Sequence, residues 1–166
     1  MWSTLVPDAR LGSVIEATPD FLRARGLRGL ILDLDNTLAV WNGAEPAPGV
    51  EAWLDGVGRA GIARVILSNN GPARVGDFGR RVGVPVLARA GKPRIGAFRR
   101  ALAILHLSAP ETAVLGDRLL MDVWGGNRAG LYTVLVAPVD PNELWATRLI
   151  RRAEDAVVSR LPSVGA

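Results

Sequence analysis

The 166-residue chain contains no cysteine, one histidine and one lysine. Without cysteine there is no disulfide and no thiolate metal site. With His106 alone, no cluster of imidazoles can hold a metal either. Tyrosine and phenylalanine together number only four, and no arginine–aromatic stacking pattern of a nucleic-acid module is present. No apolar run approaches the ~18 residues of a membrane span. The first residues, Met1-Trp2-Ser3-Thr4-Leu5-Val6-Pro7-Asp8, lack the basic start and apolar centre of a signal peptide. The expectation is a soluble cytoplasmic protein with one domain spanning residues 1–166.

What is abundant is arginine. Of 20 basic residues, all except Lys92 are arginine, and the net charge is +4. The pI near 10.8 suits anionic partners: phosphorylated metabolites, nucleic acid or acidic lipid surfaces. A chain so biased toward arginine that keeps one ammonium group points to a task for a compact point charge rather than a planar fork.

Short leucine-rich and β-branched runs alternate with amphipathic stretches, the pattern of a parallel α/β sheet. Strands are predicted near 29–34, 63–68, 84–88, 112–116 and 132–136. Pro48 opens a helix whose apolar stripe is Val50, Trp53, Leu54 and Val57. Ile95, Phe98, Leu102 and Leu105 form a second stripe, with Arg94, Arg99 and Arg100 facing away. Pro141 precedes a last helix over roughly 142–160.

Four polar stations follow one another along the chain: Asp33 and Asp35, Ser68, Lys92, and Asp117 with a further Asp122; of these, Asp33 and Asp35, Ser68 and Asp117 fall where strands end. In open α/β sheets, ligands bind beyond the carboxyl ends of the strands, where strand order reverses. Asp33 and Asp35, two residues apart in extended backbone, face the same side. Such a carboxylate pair repels itself unless a cation intervenes. Oxygen donors without His or Cys suit Mg²⁺, which keeps sites for water and substrate phosphate. Asp117 supplies a third acidic arm from another strand, and Lys92 can neutralise phosphate and carboxylates together.

Three rival motifs fail. An EF-hand starting at Asp33 needs Gly and Glu where Leu38 and Ala44 stand. Gly56-Val57-Gly58-Arg59-Ala60-Gly61 ends a helix and enters a strand, the reverse of a dinucleotide fingerprint. Gly91-Lys92 precedes Pro93 instead of the Ser/Thr of a P-loop.

The chain resembles the haloacid dehalogenase (HAD) superfamily of phosphotransferases. Asp33, Asp35 and Thr37 match its D-x-D-x-T signature, and Ser68, Lys92 and Gly116-Asp117…Asp122 fit its other motifs in order. More narrowly it resembles the YqeG family of subclass IIIA phosphatases. The segments that carry this are Leu32–Leu38, Leu67-Ser68-Asn69-Asn70, Gly116–Asp122, Gly125–Gly130 and Thr147-Arg148…Glu154.

The resemblance implies a Rossmann-like HAD fold, an open sheet of five strands or slightly more, mostly parallel and flanked by helices. It implies a Mg²⁺-dependent phosphomonoester hydrolase with Asp33 as nucleophile and Asp35 as acid and base. Mg²⁺ would sit on Asp33, on the main-chain carbonyl of Asp35 and on Asp117, with Asp122 orienting its waters or Lys92 from behind. Ser68, Asn69, Lys92 and Thr37 would serve the phosphate, with Thr37 also bracing the turn.

The intervals between motifs leave no room for a cap domain. An open rim favours a large phosphorylated target: a protein, a nucleic-acid end or a lipid headgroup. The narrower family is similar to mitochondrial phosphatidylglycerophosphate phosphatases. Leu144, Trp145, Leu149 and Ile150 beside Arg148, Arg151 and Arg152 fit either a helix packed on the sheet, the preferred reading, or peripheral contact at the inner face of a membrane. A binding module without catalysis and a nucleic-acid end phosphatase are the alternatives.

Overall fold

The computed structural model describes residues 2–140. Six parallel strands form one sheet in the order β1-β6-β5-β2-β3-β4. They are β1 (Ala9–Leu11), β2 (Gly29–Leu32), β3 (Ala63–Leu67), β4 (Val86–Leu87), β5 (Thr112–Gly116) and β6 (Tyr132–Val136). From β2 the chain builds outward through β3 to β4, then returns to the other side of β2 for β5 and β6. Strand order therefore reverses beside β2, and its carboxyl end borders both halves.

Five of these strands answer the sequence pattern. The sixth, β1, was not foreseen, because three residues are too few to show a period. It pairs with β6 at the sheet edge. Asp8 completes that join by accepting from the Thr133 amide at 2.7 Å and from its hydroxyl at 3.1 Å.

Side-chain alternation sends Leu30 and Leu32 to one face of β2 and Ile31 to the other, and all are fully buried. On the first face, Leu30, Leu32, Ile66 and Leu115 meet Val50, Trp53, Leu54 and Val57 of α2 (Val50–Arg59) and Val75 and Phe78 of α3 (Pro72–Val82). Short α1 (Pro19–Arg23), capped by the Thr18 hydroxyl accepting from the Phe21 amide, adds Leu22. Each fully buried leucine contributes ~1.5–3 kcal/mol of burial free energy, so both faces of β2 resist exposure.

On the second face, Ile31, Val65, Leu67 and Val114 pack against α4 (Ile95–Leu105). The buried stripe here is Ala97, Phe98, Ala101 and Leu105, rotated from the expected one. Leu102 and Ile95 are only half-buried. The inner face of the helix is set by Phe98 and Leu105, and Ala97 and Ala101 share it. Pro48 also falls outside its helix: α2 starts at Val50, after Gly49 in the left-handed region at φ 82°. The last helix expected over 142–160 lies outside the described residues. Segment 38–49 holds no helix or strand of its own and segment 69–91 holds only α3 and β4, so neither carries an inserted cap.

Candidate active site

The strand β2 ends at Leu32, two residues earlier than expected, so Asp33 and Asp35 both stand in the departing loop. The Asp33 amide still donates to the Leu115 carbonyl at 2.9 Å, extending the ladder by one residue. Asn36 then turns the chain in the left-handed region at φ 58°. Asparagine tolerates that conformation better than most side chains. Its amide donates to the Ala39 carbonyl, its own carbonyl accepts from Val139, and its side-chain oxygen accepts from the Asp140 amide.

Lys92, in the loop between β4 and α4, lies among these carboxylates. Its ammonium is 2.6 Å from an Asp33 oxygen and 2.7 Å from an Asp122 oxygen. Asn69 fixes the loop that delivers it, accepting from the Gly91 and Lys92 amides and donating to the Lys92 carbonyl. The Asn69 side chain, expected to meet substrate, is thus tied to the backbone beside Lys92 while still lining the cleft.

Asp117 follows β5. Asp122 comes from a π-helical stretch, Leu119–Trp124, that leads into α5 (Gly125–Ala129). Such wide turns recur at functional sites because they re-aim a side chain. The stretch curls Asp122 back over Gly116, and the Arg118 amide donates to its second oxygen at 3.2 Å. Oxygens of Asp33, Asp117 and Asp122 all lie within 4.8 Å of one another. The buried Thr37 hydroxyl faces two of them, at 3.5 Å from Asp33 and 3.4 Å from Asp117.

The electrostatics follow from burial. Burial lifts the Asp33 carboxyl to about 6, Lys92 opposing and Asp122 adding to the rise. Asp122 is raised for the same reason, with Lys92 opposing and Asp117 contributing. Burial pulls Lys92 down, but the Asp122 and Asp33 carboxylates overcome it and raise it above an ordinary lysine. Three converging carboxylates against one ammonium leave an acidic excess in a buried site, and hard oxygen donors of this kind fit a divalent cation such as Mg²⁺.

The Asp35 carboxylate was expected to share that cation's relief with Asp33. It is instead surrounded by other donors. Arg74 on α3 approaches at 2.8 Å and 3.2 Å, Asn70 donates at 2.6 Å, and the Asn42 amide donates at 3.0 Å. Arg74, Asn42 and the function of Asn70 escaped the sequence reading. Arg74 sits in an ordinary arginine-rich helix, and only the fold brings it behind Asp35.

One cleft is lined by Asp33, Asp35, Ser68, Asn69, Asn70, Lys92 and Asp117, with Trp41, Arg118 and Met121 at the same opening. The four sequence stations therefore converge. The Ser68 hydroxyl accepts from the Asn70 amide at 3.2 Å. Thr37 is not among the lining residues. His106 is far off, capping the exposed C-terminal end of α4 near the amino end of β2.

Relatives place this geometry. Residues 89–161 match the HAD-hydrolase-like family model. A probable phosphatase, YqeG of Bacillus subtilis, is 38% identical over 160 residues, covering 96% of this chain and 93% of the relative. The chloroplastic phosphatidylglycerophosphate phosphatase 1 of Chlamydomonas reinhardtii is 33% identical over 87% of this chain, which spans 57% of that protein. The fold is shared with 3-deoxy-D-manno-octulosonate 8-phosphate phosphatase of Moraxella catarrhalis, solved with magnesium and phosphate ions. That match has a TM-score of 0.51 at 16% identity and covers 84% of this chain and 91% of that one. Sequence, sheet order and the convergence of the four stations agree: the chain belongs to the HAD-type phosphatases, in the YqeG family.

Proposed function

We propose that the protein hydrolyses phosphomonoesters through an aspartyl-phosphate on Asp33, with Mg²⁺ as cofactor and an open site that takes a large or lipid-borne phosphate. The observation that carries this is the Lys92 ammonium held between Asp33 and Asp122 at the floor of the cleft. It keeps a carboxylate oriented for in-line attack and offers a cation to the transferring oxygens.

Asp33, Asp117 and the main-chain carbonyl of Asp35 would hold Mg²⁺, which supplies charge stabilisation to the phosphoryl oxygens. An Asp33 oxygen donates its electron pair to phosphorus as the bond to the leaving oxygen breaks. Asp35 gives its proton to that leaving oxygen. In the second half, water attacks phosphorus and passes a proton to Asp35, and the Asp33–phosphorus bond breaks to release phosphate. Ser68 and Lys92 steady the transferring oxygens throughout, and Asp122 keeps Lys92 aimed.

Among the described residues no cap covers the cleft, and Trp41, Met121 and Arg118 line it, with Leu120 exposed next to Met121 in the chain. An apolar and basic margin suits a phosphorylated headgroup carried on an apolar body, in keeping with the named substrate of the Chlamydomonas relative. No described helix is long and apolar enough to cross a membrane, so contact with such a substrate would be peripheral. The test is phosphate release from phosphatidylglycerophosphate in vesicles, sugar phosphates, nucleotides and phosphopeptides, each with Mg²⁺ and with EDTA. Preferential hydrolysis of the vesicle substrate supports the lipid reading, and preference for a small metabolite overturns it. Lack of Mg²⁺-dependent release from every substrate overturns the enzymatic proposal.

A further inference from the structure

We infer that Arg118 is a specificity-determining residue that binds a second anionic group on the substrate, beyond the phosphate that is removed; this rests on the reading of the cleft as a phosphomonoesterase site. Among the described residues two basic side chains line that cleft, Lys92 and Arg118. The Lys92 ammonium is already engaged, by Asp33 at 2.6 Å and Asp122 at 2.7 Å. The Arg118 guanidinium is not. Among the described residues it has no hydrogen-bond, ion-pair or aromatic partner.

Shelter sets Arg118 apart from the other arginines. The half-buried ones among the described residues are Arg64, Arg74 and Arg118. Arg64 donates to the Leu54 carbonyl, and Arg74 is bonded to Asp35 and to the Gly43 carbonyl. Every other described arginine without a protein partner is exposed, where water satisfies it. Arg118 alone is drawn partly out of water with its donors uncommitted, and such donors favour an incoming anion.

The backbone beneath that side chain is fixed. The Arg118 amide donates to the Asp122 carboxylate at 3.2 Å, and its carbonyl accepts from the Asp122 and Val123 amides at 2.9 Å and 3.4 Å. A planar guanidinium matches the paired oxygens of a phosphodiester or a carboxylate. In the proposed reaction Lys92 and Ser68 serve the transferring phosphate, so the acceptor left for Arg118 is another anion of the same molecule.

Three soluble phosphomonoesters separate that contact from any contact with a bilayer. Glycerol 3-phosphate has no second anion, 3-phosphoglycerate has a carboxylate, and the deacylated headgroup of phosphatidylglycerophosphate has a phosphodiester. With Mg²⁺, the wild type should favour one of the anion-bearing esters over glycerol 3-phosphate by ~10-fold or more in kcat/KM. Arg118→Gln should cut that preference by ~10-fold or more, chiefly through KM, because the contact exists before and during phosphoryl transfer. Arg118→Lys keeps the charge without the fork and should recover part of it.

The measurement is kcat and KM on the three esters, with a thermal melt of each variant. Lost preference in Arg118→Gln with partial recovery in Arg118→Lys supports the inference. A wild type without preference, or a preference that survives in Arg118→Gln, overturns it. Equal loss on all three esters also overturns it, since that would place Arg118 on the transferring phosphate or in the support of Asp122. If Arg118→Gln fails to fold, Arg118→Lys carries the test: a reduced preference supports the inference and an unchanged one overturns it. If no soluble ester is turned over, phosphatidylglycerophosphate and phosphatidate in vesicles take their place, with the same outcomes. Preference for 3-phosphoglycerate over the diester would support the role of Arg118 and overturn the lipid-borne substrate. No turnover of any ester overturns the proposed function and this inference with it.

Discussion

A side-chain carbon placed on Gly116 would lie 2.2 Å from the Asp122 carboxyl carbon. The last residue of β5 therefore has no side chain because a carboxylate occupies that space. Asp122 is buried, short and bonded to Lys92, so it cannot swing aside cheaply. Gly116→Ala should displace Asp122, release Lys92 from one partner and lower kcat/KM by ~10-fold or more, alongside a stability loss of ~1–3 kcal/mol. Kinetics and a denaturant melt check both. Wild-type values would mean that the π-helical stretch relaxes without consequence.

Asp33→Asn should abolish turnover, and it should stabilise the metal-free protein in a pH-dependent way. The unfolded carboxyl titrates near 3.8 and the folded one near about 6. Between those values the folded state binds more protons, so stability falls as pH rises through the window. Above about 6 the full penalty of a buried negative charge is present. The gain in Tm from Asn should thus be largest at pH 7–8 in EDTA and shrink toward pH 4. A gain that grows on acidification would contradict the assigned electrostatics.

Lys92→Arg tests whether the lone lysine has a task. Its side chain is 3% exposed, between two carboxylates. The longer planar guanidinium cannot occupy the same point. Steady-state assays should show a loss of at least ~10²-fold in kcat/KM, about 2.7 kcal/mol of transition-state stabilisation. Arginine preserves the charge but overfills the buried site, so the thermal midpoint should fall modestly, in line with a cost of ~1–3 kcal/mol. Near-normal kinetics would remove Lys92 from the mechanism.

Chelation should remove activity, Mg²⁺ should restore it, and Ca²⁺ should restore it poorly. Calcium's larger, looser coordination would misplace the Asp33 carboxylate proposed to attack phosphorus. A phosphate-release assay after exhaustive EDTA treatment and dialysis gives the answer. Full activity in the chelated protein would exclude the metal from the reaction.

The sequence shows those parts of the fold that repeat or cluster locally. Val50, Trp53, Leu54 and Val57 announced the α2 stripe because helix period and burial coincide there. Asp33, Asp35, Ser68 and Asp117 were readable because they close apolar runs, and Lys92 because it is the only lysine among 20 basic residues. What stayed hidden depends on contacts between distant segments. Arg74 and Asp35 are 39 residues apart and meet only once α3 packs on the sheet. The buried face of α4 includes Ala97 and Ala101 while Ile95 is half-buried, and alanine, compatible with either face, gives periodicity too weak a signal to place it. Strand β1 depends on Asp8 finding Thr133, 125 residues away.

The solitary lysine also makes the site its own chemical reporter. Lys92 carries the only side-chain primary amine in the chain. Buried and held as ammonium by Asp33 and Asp122, it offers no free electron pair to an acylating reagent at mild alkaline pH. Amine-directed labelling of the intact protein should then add one group, at the chain's α-amino terminus. A second group would appear only on molecules whose catalytic floor has come apart, so mass spectrometry could count damaged sites without any substrate.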